Sequence, residues 1–247
     1  MASTRLFVND TLGSGIELQL GREQAHYLGR VLRLRDGDLL TVFNGDDGEF
    51  DARVASLGKN IATVVVDAPV ETATESALKI HLVQGISRGE RMDFVVQKAT
   101  ELGVKRITPV FTEYGLVKLD QARAAKRNDH WQSVAISACE QSGRIRPPLI
   151  DAPVDLNSWL GEGAKETDSD LILHPGASTP LSSIAAPVTK VCLLIGPEGG
   201  FSDKEYEDAD IAGFAAVSLG PRILRTETAA LTAIAVAQSC WGDLRDK

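Results

Sequence analysis

Three stretches of the sequence carry residues that could form a ligand site, and each contains an apolar run typical of a β-strand. They are LILHPGAS at 171–178, VCLLIGPEGGFS at 191–202 and SLGPRILRTETAA at 218–230. In each stretch the apolar run breaks at a glycine or proline. Because ligands bind at the carboxyl ends of parallel strands, neighbouring strands would bring these loops to one pocket.

The glycine-rich loop at 196–200 (GPEGG) lacks the features of a phosphate-binding loop. Neither the GxxxxGK[ST] spacing of a P-loop nor the GxGxxG spacing of a dinucleotide site is present. Ser202 and Glu205 form an S-x-x-E capping box, and Phe201 and Tyr206 form a hydrophobic staple around it. Acidic residues thus stand where a phosphate would need free N–H groups, so this loop is not expected to bind phosphate.

A neutral or cationic ligand with an aromatic base and hydroxyl groups suits an exposed backbone loop that carries Glu198. S-adenosylmethionine, with its sulfonium, adenine and ribose diol, is such a ligand. A tight turn without any ligand is the alternative for this loop. His174, in the first stretch, would reach the same edge, where a lone histidine is more often structural than catalytic.

The third stretch places two arginines, Arg222 and Arg225, around an apolar Ile-Leu pair at a strand exit. Thr226 and Thr228 compete to cap the helix that follows, and Glu227 suits its first turn. The alanines of this helix favour close packing against neighbouring backbone.

Composition excludes several classes of protein. The chain has 247 residues, 43% of them hydrophobic and 24% charged, as in ordinary globular proteins. A net charge of −8 argues against indiscriminate nucleic-acid coating, although arginines cluster at 30–35, 88–91, 144–146 and 222–225. No apolar run has signal-peptide or membrane-spanning character. Three separated cysteines without CxxC spacing indicate a reducing, cytoplasmic location and no metal site.

Two regions with different patterns must position these residues. Up to about residue 70 the chain reads as short strands, with a hairpin signal NGDDG at 44–48 and one helix-like segment at 22–34. The polar segment ETATES at 71–76 reads as a linker. After it, strands and helices alternate, which predicts a mainly parallel sheet covered by helices. We therefore expect an all-β domain at 1–72 and an α/β domain at 73–247.

Four motifs together resemble the RsmE family of bacterial methyltransferases, which modify N3 of a uridine in small-subunit (16S) ribosomal RNA. Along the chain they are RMDFVVQKATELGV, ACEQSGRIRPP, GPEGGFS and LGPRILRTETAA. The resemblance covers nearly the whole sequence. It implies an N-terminal PUA-like RNA-binding barrel and a SPOUT-type α/β domain with a C-terminal trefoil knot.

The resemblance also implies a homodimer, S-adenosylmethionine bound in the knot, and 16S ribosomal RNA within the assembled small subunit as substrate. No membrane and no metal are implied. The cofactor residues expected from it are Leu173, His174, Pro175, Ile195, Gly196, Pro197, Glu198, Gly199, Gly200, Leu219, Gly220, Arg222, Ile223, Leu224, Thr226, Thr228 and Ala229.

Methylation at N3 requires alignment of nucleophile, methyl group and sulfur, together with removal of the imide proton. Arg225 is the first candidate for stabilising the anion that develops at N3. Glu140 is a candidate base and Arg144 a candidate anchor for a phosphate or base. The alternative for Glu140 and Arg144 is an intrahelical i, i+4 ion pair.

The residues expected to bind RNA are Arg30, Arg33, Arg35, Arg88, Arg91 and Arg146. For the first three, the alternative is a β-barrel without a function of its own. Two other functions stay open from the sequence. One is a ribose 2′-O methyltransferase, and the other is a non-catalytic RNA-binding or ribosome assembly factor.

Overall fold

The computed structural model describes residues 4–115, 121–161, 167–185 and 188–245. By its internal contacts the chain divides into two compact units. The first comprises Met1–Glu75 together with Cys139–Arg146, and the second comprises Ser76–Ala138 and Pro147–Lys247.

The first unit contains a five-stranded sheet and a short helical segment. Its strands are β1 (Arg5–Phe7), β2 (Glu17–Leu20), β3 (Leu39–Phe43), β4 (Glu49–Leu57) and β5 (Ala62–Val70), in the order β1-β3-β4-β5-β2. The predicted helix-like segment consists of α1 (Arg22–His26) and a π-helical turn (Tyr27–Val31). Alternating apolar residues of all five strands form one core, as a period of two requires.

The hairpin predicted from NGDDG is confirmed, because β3 and β4 pair antiparallel on either side of it. Asn44 Oδ1 accepts hydrogen bonds from the backbone N–H groups of Asp46 and Asp47. This side chain therefore replaces the backbone partner that the turn lacks.

The second unit is built on a seven-stranded parallel sheet. Its strands are β6 (Lys79–Gly85), β7 (Arg106–Phe111), β8 (Leu149–Ile150), β9 (Val154–Asp155), β10 (Ser169–Leu173), β11 (Lys190–Ile195) and β12 (Ala215–Val217). The order is β12-β10-β11-β6-β7-β8, and β9 also pairs with β7. The predicted parallel sheet is confirmed.

Helices cover both faces of this sheet, as near-continuous apolar strands require. Residues of α2 (Arg91–Glu101), α3 (Gln121–Ser142) and α6 (Thr226–Trp241) pack on one face, and residues of α4 (Leu156–Gly161) and α5 (Asp203–Ile211) pack on the other. Within the described ranges, no helix is long and apolar enough to cross a membrane.

The segment predicted to be a linker contains the boundary between the two units, and its residues up to Glu75 have partners within the first unit. Thr72 donates a hydrogen bond to Glu49, and Thr74 donates one to the carbonyl of Gly143 at 2.8 Å. The carboxylate of Glu75 pairs with Arg144. Half of the segment is exposed, yet these side chains have partners far along the chain.

Candidate active site

The three predicted loops converge, because the strands that precede them are neighbours. β10 pairs in parallel with both β11 and β12, so their carboxyl ends lie at one edge of the sheet. A cavity of about 620 Å³ opens at this edge, a typical size for a small-molecule site. It is lined by Arg91, Leu173, His174, Pro175, Ile195, Gly196, Pro197, Glu198, Gly199, Gly200, Phe201, Tyr206, Val217, Leu219, Gly220, Arg222, Ile223, Leu224, Arg225, Thr226, Glu227 and Ala229.

This lining includes every residue expected to contact the cofactor except Thr228, which is exposed on α6. It also includes four residues that the sequence reasoning did not assign to the pocket: Phe201, Tyr206, Val217 and Glu227. Phe201 and Tyr206 were recognised only as a helix staple, and Glu227 only as a first-turn acid. Arg91 was assigned to RNA binding, and here it lines the cavity.

A buried hydrogen-bond network joins the second and third loops. Gln84, at the end of β6, donates to Thr226 Oγ1 at 2.9 Å and to the carbonyl of Gly85 at 3.0 Å. Thr226 in turn donates to the carbonyl of Gly196 at 2.6 Å. The expectation that Thr226 or Thr228 caps α6 is therefore wrong. The N-cap residue is Arg225, and no described side chain caps the helix. The Thr226 hydroxyl is used in this network instead.

The end of β6 also supports the GPEGG loop by direct contact. A Cβ atom on Gly85 would lie 2.4 Å from Pro197 Cδ and 2.5 Å from Pro197 N. Only glycine permits so close an approach of the two backbones.

Glu198 connects the same loop to the start of α2. Its carboxylate accepts a hydrogen bond from the Arg88 N–H at 3.1 Å and forms an ion pair with Arg91 at 2.6 Å. Burial alone would raise the pKa of Glu198, but its own backbone N–H, Arg91 and Arg88 together hold the pKa below its usual value. Glu198 is therefore an ionised residue with partners, and its role in the pocket is to fix the loop.

Aromatic residues form one wall of the cavity. The rings of His174 and Tyr206 lie 4.4 Å apart, and those of Phe201 and Tyr206 lie 5.5 Å apart. The predicted staple and capping box on α5 are both present. The backbone N–H of Gly176 donates to His174 Nδ1 at 2.9 Å, which assigns the proton of the neutral ring to Nε2. Such a wall suits a planar heterocycle.

Charged groups of the third loop are distributed unevenly. Arg222 and Arg225 are exposed, and no ion pair joins either of them to another described residue. By contrast, Glu227 Oε2 is buried and has no hydrogen-bond partner within the described part of the chain. The pocket therefore has cations at its mouth and an unsatisfied acceptor in its wall.

Glu140 and Arg144 belong to the first unit and are not among the residues that line the cavity. Glu140 accepts hydrogen bonds from the Phe7 N–H at 3.0 Å and from the Tyr27 hydroxyl at 3.2 Å. Burial raises its pKa, against the opposing effect of these donors and of a nearby arginine.

Arg144 is buried and pairs with Glu75 at 2.9 Å. The alternative of an intrahelical pair between Glu140 and Arg144 is wrong, because α3 ends at Ser142 and Arg144 follows it.

The arginines expected to bind RNA are exposed in both units. Arg30, Arg33 and Arg35 follow α1, and Arg33 has a left-handed φ of 57°, an uncommon conformation for arginine. Arg146 donates to the carbonyl of Gly45 at 2.9 Å. Within the described residues, no cluster of three or more potential ligand side chains is arranged to hold a metal ion.

Comparison with known proteins identifies the family. An RNA methyltransferase domain family matches residues 74–238, and an RNA methyltransferase PUA domain family matches residues 20–67. Ribosomal RNA small subunit methyltransferase E from Buchnera aphidicola (from Acyrthosiphon pisum) is 35% identical over 241 residues, which cover 98% of this chain and 95% of the relative.

Two solved structures are similar over 98% of this chain and 100% of their own chains. One, from Legionella pneumophila, was solved with the cofactor SAM bound and has a TM-score of 0.94 at 43% identity. The other is ribosomal RNA small subunit methyltransferase E from Neisseria gonorrhoeae bound to S-adenosyl methionine, with a TM-score of 0.91 at 40% identity. The resemblance drawn from the four motifs is confirmed, and the chain belongs to the ribosomal RNA small subunit methyltransferase E family, with a SPOUT-type methyltransferase domain preceded by a PUA-like domain.

Proposed function

We propose that this protein transfers a methyl group from S-adenosylmethionine to N3 of a uridine in 16S ribosomal RNA. The observation that carries the proposal is the cavity formed by the loops after β10, β11 and β12. It lies in a chain that is similar over nearly its full length to proteins solved with this cofactor.

The residues of the cavity fit this cofactor. Its volume of about 620 Å³ suits a nucleoside with an amino-acid tail. The ring of Tyr206 and the adjoining His174 offer an aromatic surface to adenine. Glu227 provides a buried acceptor without a partner in the described residues, which suits a ligand with positive charge. S-adenosylmethionine, when bound, supplies an electrophilic methyl group whose transfer leaves a neutral thioether.

Arg225 is the residue that we assign to the chemistry of the uridine. Neutral N3 has no free lone pair, so its proton must first pass to a base, or to solvent water where no side chain takes it, before N3 attacks the methyl carbon and the carbon–sulfur bond breaks. The resulting negative charge spreads over N3 and its flanking carbonyl groups. An exposed guanidinium at the mouth of the cavity, without an ion pair to another described residue, can stabilise that charge. Arg222 offers a second cation on the same loop.

Glu140 and Arg144 remain candidates for base and anchor. Their hydrogen bonds support a structural role instead, because Glu140 already has two donors and Arg144 already pairs with Glu75. We therefore rank both below Arg225.

The proposal extends to the RNA and to the assembly. Exposed Arg30, Arg33 and Arg35 would contact RNA from a domain at 1–72, while Arg88, Arg91 and Arg146 would add further contacts. The domain at 73–247 would carry the trefoil knot and form the homodimer. The substrate would be the assembled small ribosomal subunit, which places the enzyme in the cytoplasm.

A methyl-transfer assay with Arg225→Ala tests this function. Small subunits from cells that lack the protein are incubated with labelled S-adenosylmethionine, and the RNA is then digested to nucleosides for mass spectrometry. We expect 3-methyluridine with the wild type and a loss of about 100-fold or more in turnover with the variant, while cofactor affinity stays measurable. Arg127→Ala, which removes an exposed arginine of α3 outside the cavity, is the matched control.

The nucleoside that carries the label separates the alternatives. Label on a ribose 2′-oxygen would identify a ribose methyltransferase and contradict the proposal. Absence of any cofactor binding by calorimetry would favour an assembly factor. Full turnover by Arg225→Ala would remove Arg225 from the mechanism.

A further inference from the structure

The second helical position of α6 places a carboxylate in the wall of the cavity. Glu227 lines the cavity, and its Oε2 atom is buried without a hydrogen-bond partner in the described part of the chain. The other carboxylate of the lining, Glu198, differs in this respect, because it has both Arg91 and the Arg88 N–H. Glu227 is therefore the acid of the lining that has a buried oxygen without a donor among the described residues.

An unpaired carboxylate oxygen removed from water is unfavourable unless a donor arrives. The positive end of the α6 dipole favours a negative charge in the first turn but supplies no donor to Oε2. The cations of the lining do not supply one either. Arg91 is held by Glu198, and Arg222 and Arg225 are exposed. No described residue donates to this oxygen, and a ligand bound in the cavity would bring a donor to it.

We propose that Glu227 accepts a hydrogen bond from the α-ammonium group of the methionine part of the cofactor. This inference rests on the proposed function, because it requires S-adenosylmethionine in the cavity. The ammonium group is the one donor of that ligand that also carries positive charge, and charge-assisted hydrogen bonds are the stronger ones. The sulfonium has no N–H or O–H to donate, and the ribose and adenine donors are neutral.

Calorimetry with two ligands tests the assignment without turnover. The ligands are S-adenosylhomocysteine and its desamino analogue, in which hydrogen replaces the ammonium group. Both lack the sulfonium, so the comparison isolates the ammonium. We expect Glu227→Gln to weaken binding of S-adenosylhomocysteine by about 10- to 100-fold and to change binding of the analogue by less than about twofold.

Asp203→Asn is the matched control, because it makes the same charge change in the first turn of α5 at an exposed residue. It should leave both affinities within about twofold of the wild type. An equal loss for both ligands with Glu227→Gln would overturn the assignment, since Glu227 would then contact the nucleoside or shape the wall. No loss for either ligand would overturn it as well.

A wild-type measurement protects the test against a variant that does not fold. The wild type should prefer S-adenosylhomocysteine over the desamino analogue by about tenfold or more. Equal binding of the two by the wild type would refute the role of Glu227, whereas no binding of either would refute the proposed function itself.

Discussion

Gln84 Nε2 donates a hydrogen bond to Thr226 Oγ1 at 2.9 Å, between residues 142 positions apart in the sequence. Because the same hydroxyl donates to the carbonyl of Gly196, one side chain connects β6, the GPEGG loop and the start of α6. Gln84 is fully buried, and Thr226 is nearly so. This one hydroxyl group thus joins two of the loops that line the cavity.

Replacement of this hydroxyl by a methyl group should therefore affect both stability and binding. Thr226→Val preserves the shape of the side chain but removes the acceptor of the Gln84 amide and the donor at 2.6 Å to the Gly196 carbonyl, which keeps only the Gln84 amide at 3.4 Å. We expect a loss of about 2–4 kcal/mol in the free energy of unfolding, measured by urea denaturation. We also expect about tenfold weaker binding of S-adenosylhomocysteine, because the loops lose their fixed spacing. Thr226→Ser retains the hydroxyl and should stay close to the wild type, and a matching loss in Thr226→Ser would contradict this explanation.

The sequence predicted those features of the site that depend on nearby residues. The capping box of Ser202 and Glu205 and the staple of Phe201 and Tyr206 each join residues of one helical turn, so their spacing was sufficient evidence. The convergence of the three loops was also predictable, because alternation of strands and helices implies a parallel sheet. Such a sheet brings the carboxyl ends of its strands together.

Features that depend on distant partners could not be predicted. Thr226 looked like a helix cap because its long-range partner, Gln84, has no signal in the local sequence. Arg144 looked like the i, i+4 partner of Glu140, whereas its ion pair is formed with Glu75. The orphan oxygen of Glu227 is a property of the folded pocket alone.

Gly85 should tolerate no side chain, because its backbone lies against Pro197. A Cβ atom there would lie 2.4 Å from a proline ring that cannot rotate away. Gly85→Ala should lower the free energy of unfolding by about 1–3 kcal/mol and weaken binding of S-adenosylhomocysteine. Thermal melts and calorimetry measure the two effects. Gly161→Ala is the control, since no atom of the described residues lies within 4 Å of a Cβ at that position. Similar melting temperatures for both variants would show that the GPEGG loop can move away from β6.

Arg5 stabilises the first unit through the geometry of its guanidinium group. It donates to Glu49 at 2.6 Å and to the carbonyls of Cys139 at 2.6 Å and Arg144 at 3.1 Å. The guanidinium carbon of Arg5 (Cζ) also lies 4.4 Å from the centre of the Phe43 ring. A lysine retains the charge but cannot reach these partners with a planar fork.

Arg5→Lys should therefore lower the free energy of unfolding by about 1–3 kcal/mol in urea denaturation. Arg53→Lys is the control in the same unit, because Arg53 is half-exposed and lies 3.5 Å from Asp67. We expect it to change the free energy by less than about 0.5 kcal/mol. Equal effects of the two substitutions would mean that Arg5 contributes charge alone.

Glu140 should make the stability of the protein decrease as the pH rises. Burial raises the pKa of its carboxyl group above the ordinary value of 4.5, against the opposing effects of the Phe7 N–H, the Tyr27 hydroxyl and Arg5. Between the ordinary and the raised pKa, the folded state binds more protons than the unfolded state. The free energy of unfolding therefore falls as the pH increases through that interval.

Glu140→Gln removes this titration while it retains an acceptor for the Phe7 N–H. The difference in unfolding free energy, variant minus wild type, should rise from pH 4.5 upward and become constant once Glu140 is ionised. Urea denaturation at a series of pH values measures it. For Asp168 we expect the opposite pH dependence, because its pKa is lowered. The cause is hydrogen bonds from the Thr189 side chain and from the backbone of Thr189 and Lys190. Its contribution is present above the ordinary value of 3.8 and is lost as the pH falls. A flat difference for Glu140→Gln would mean that its carboxylate is already fully stabilised by its donors.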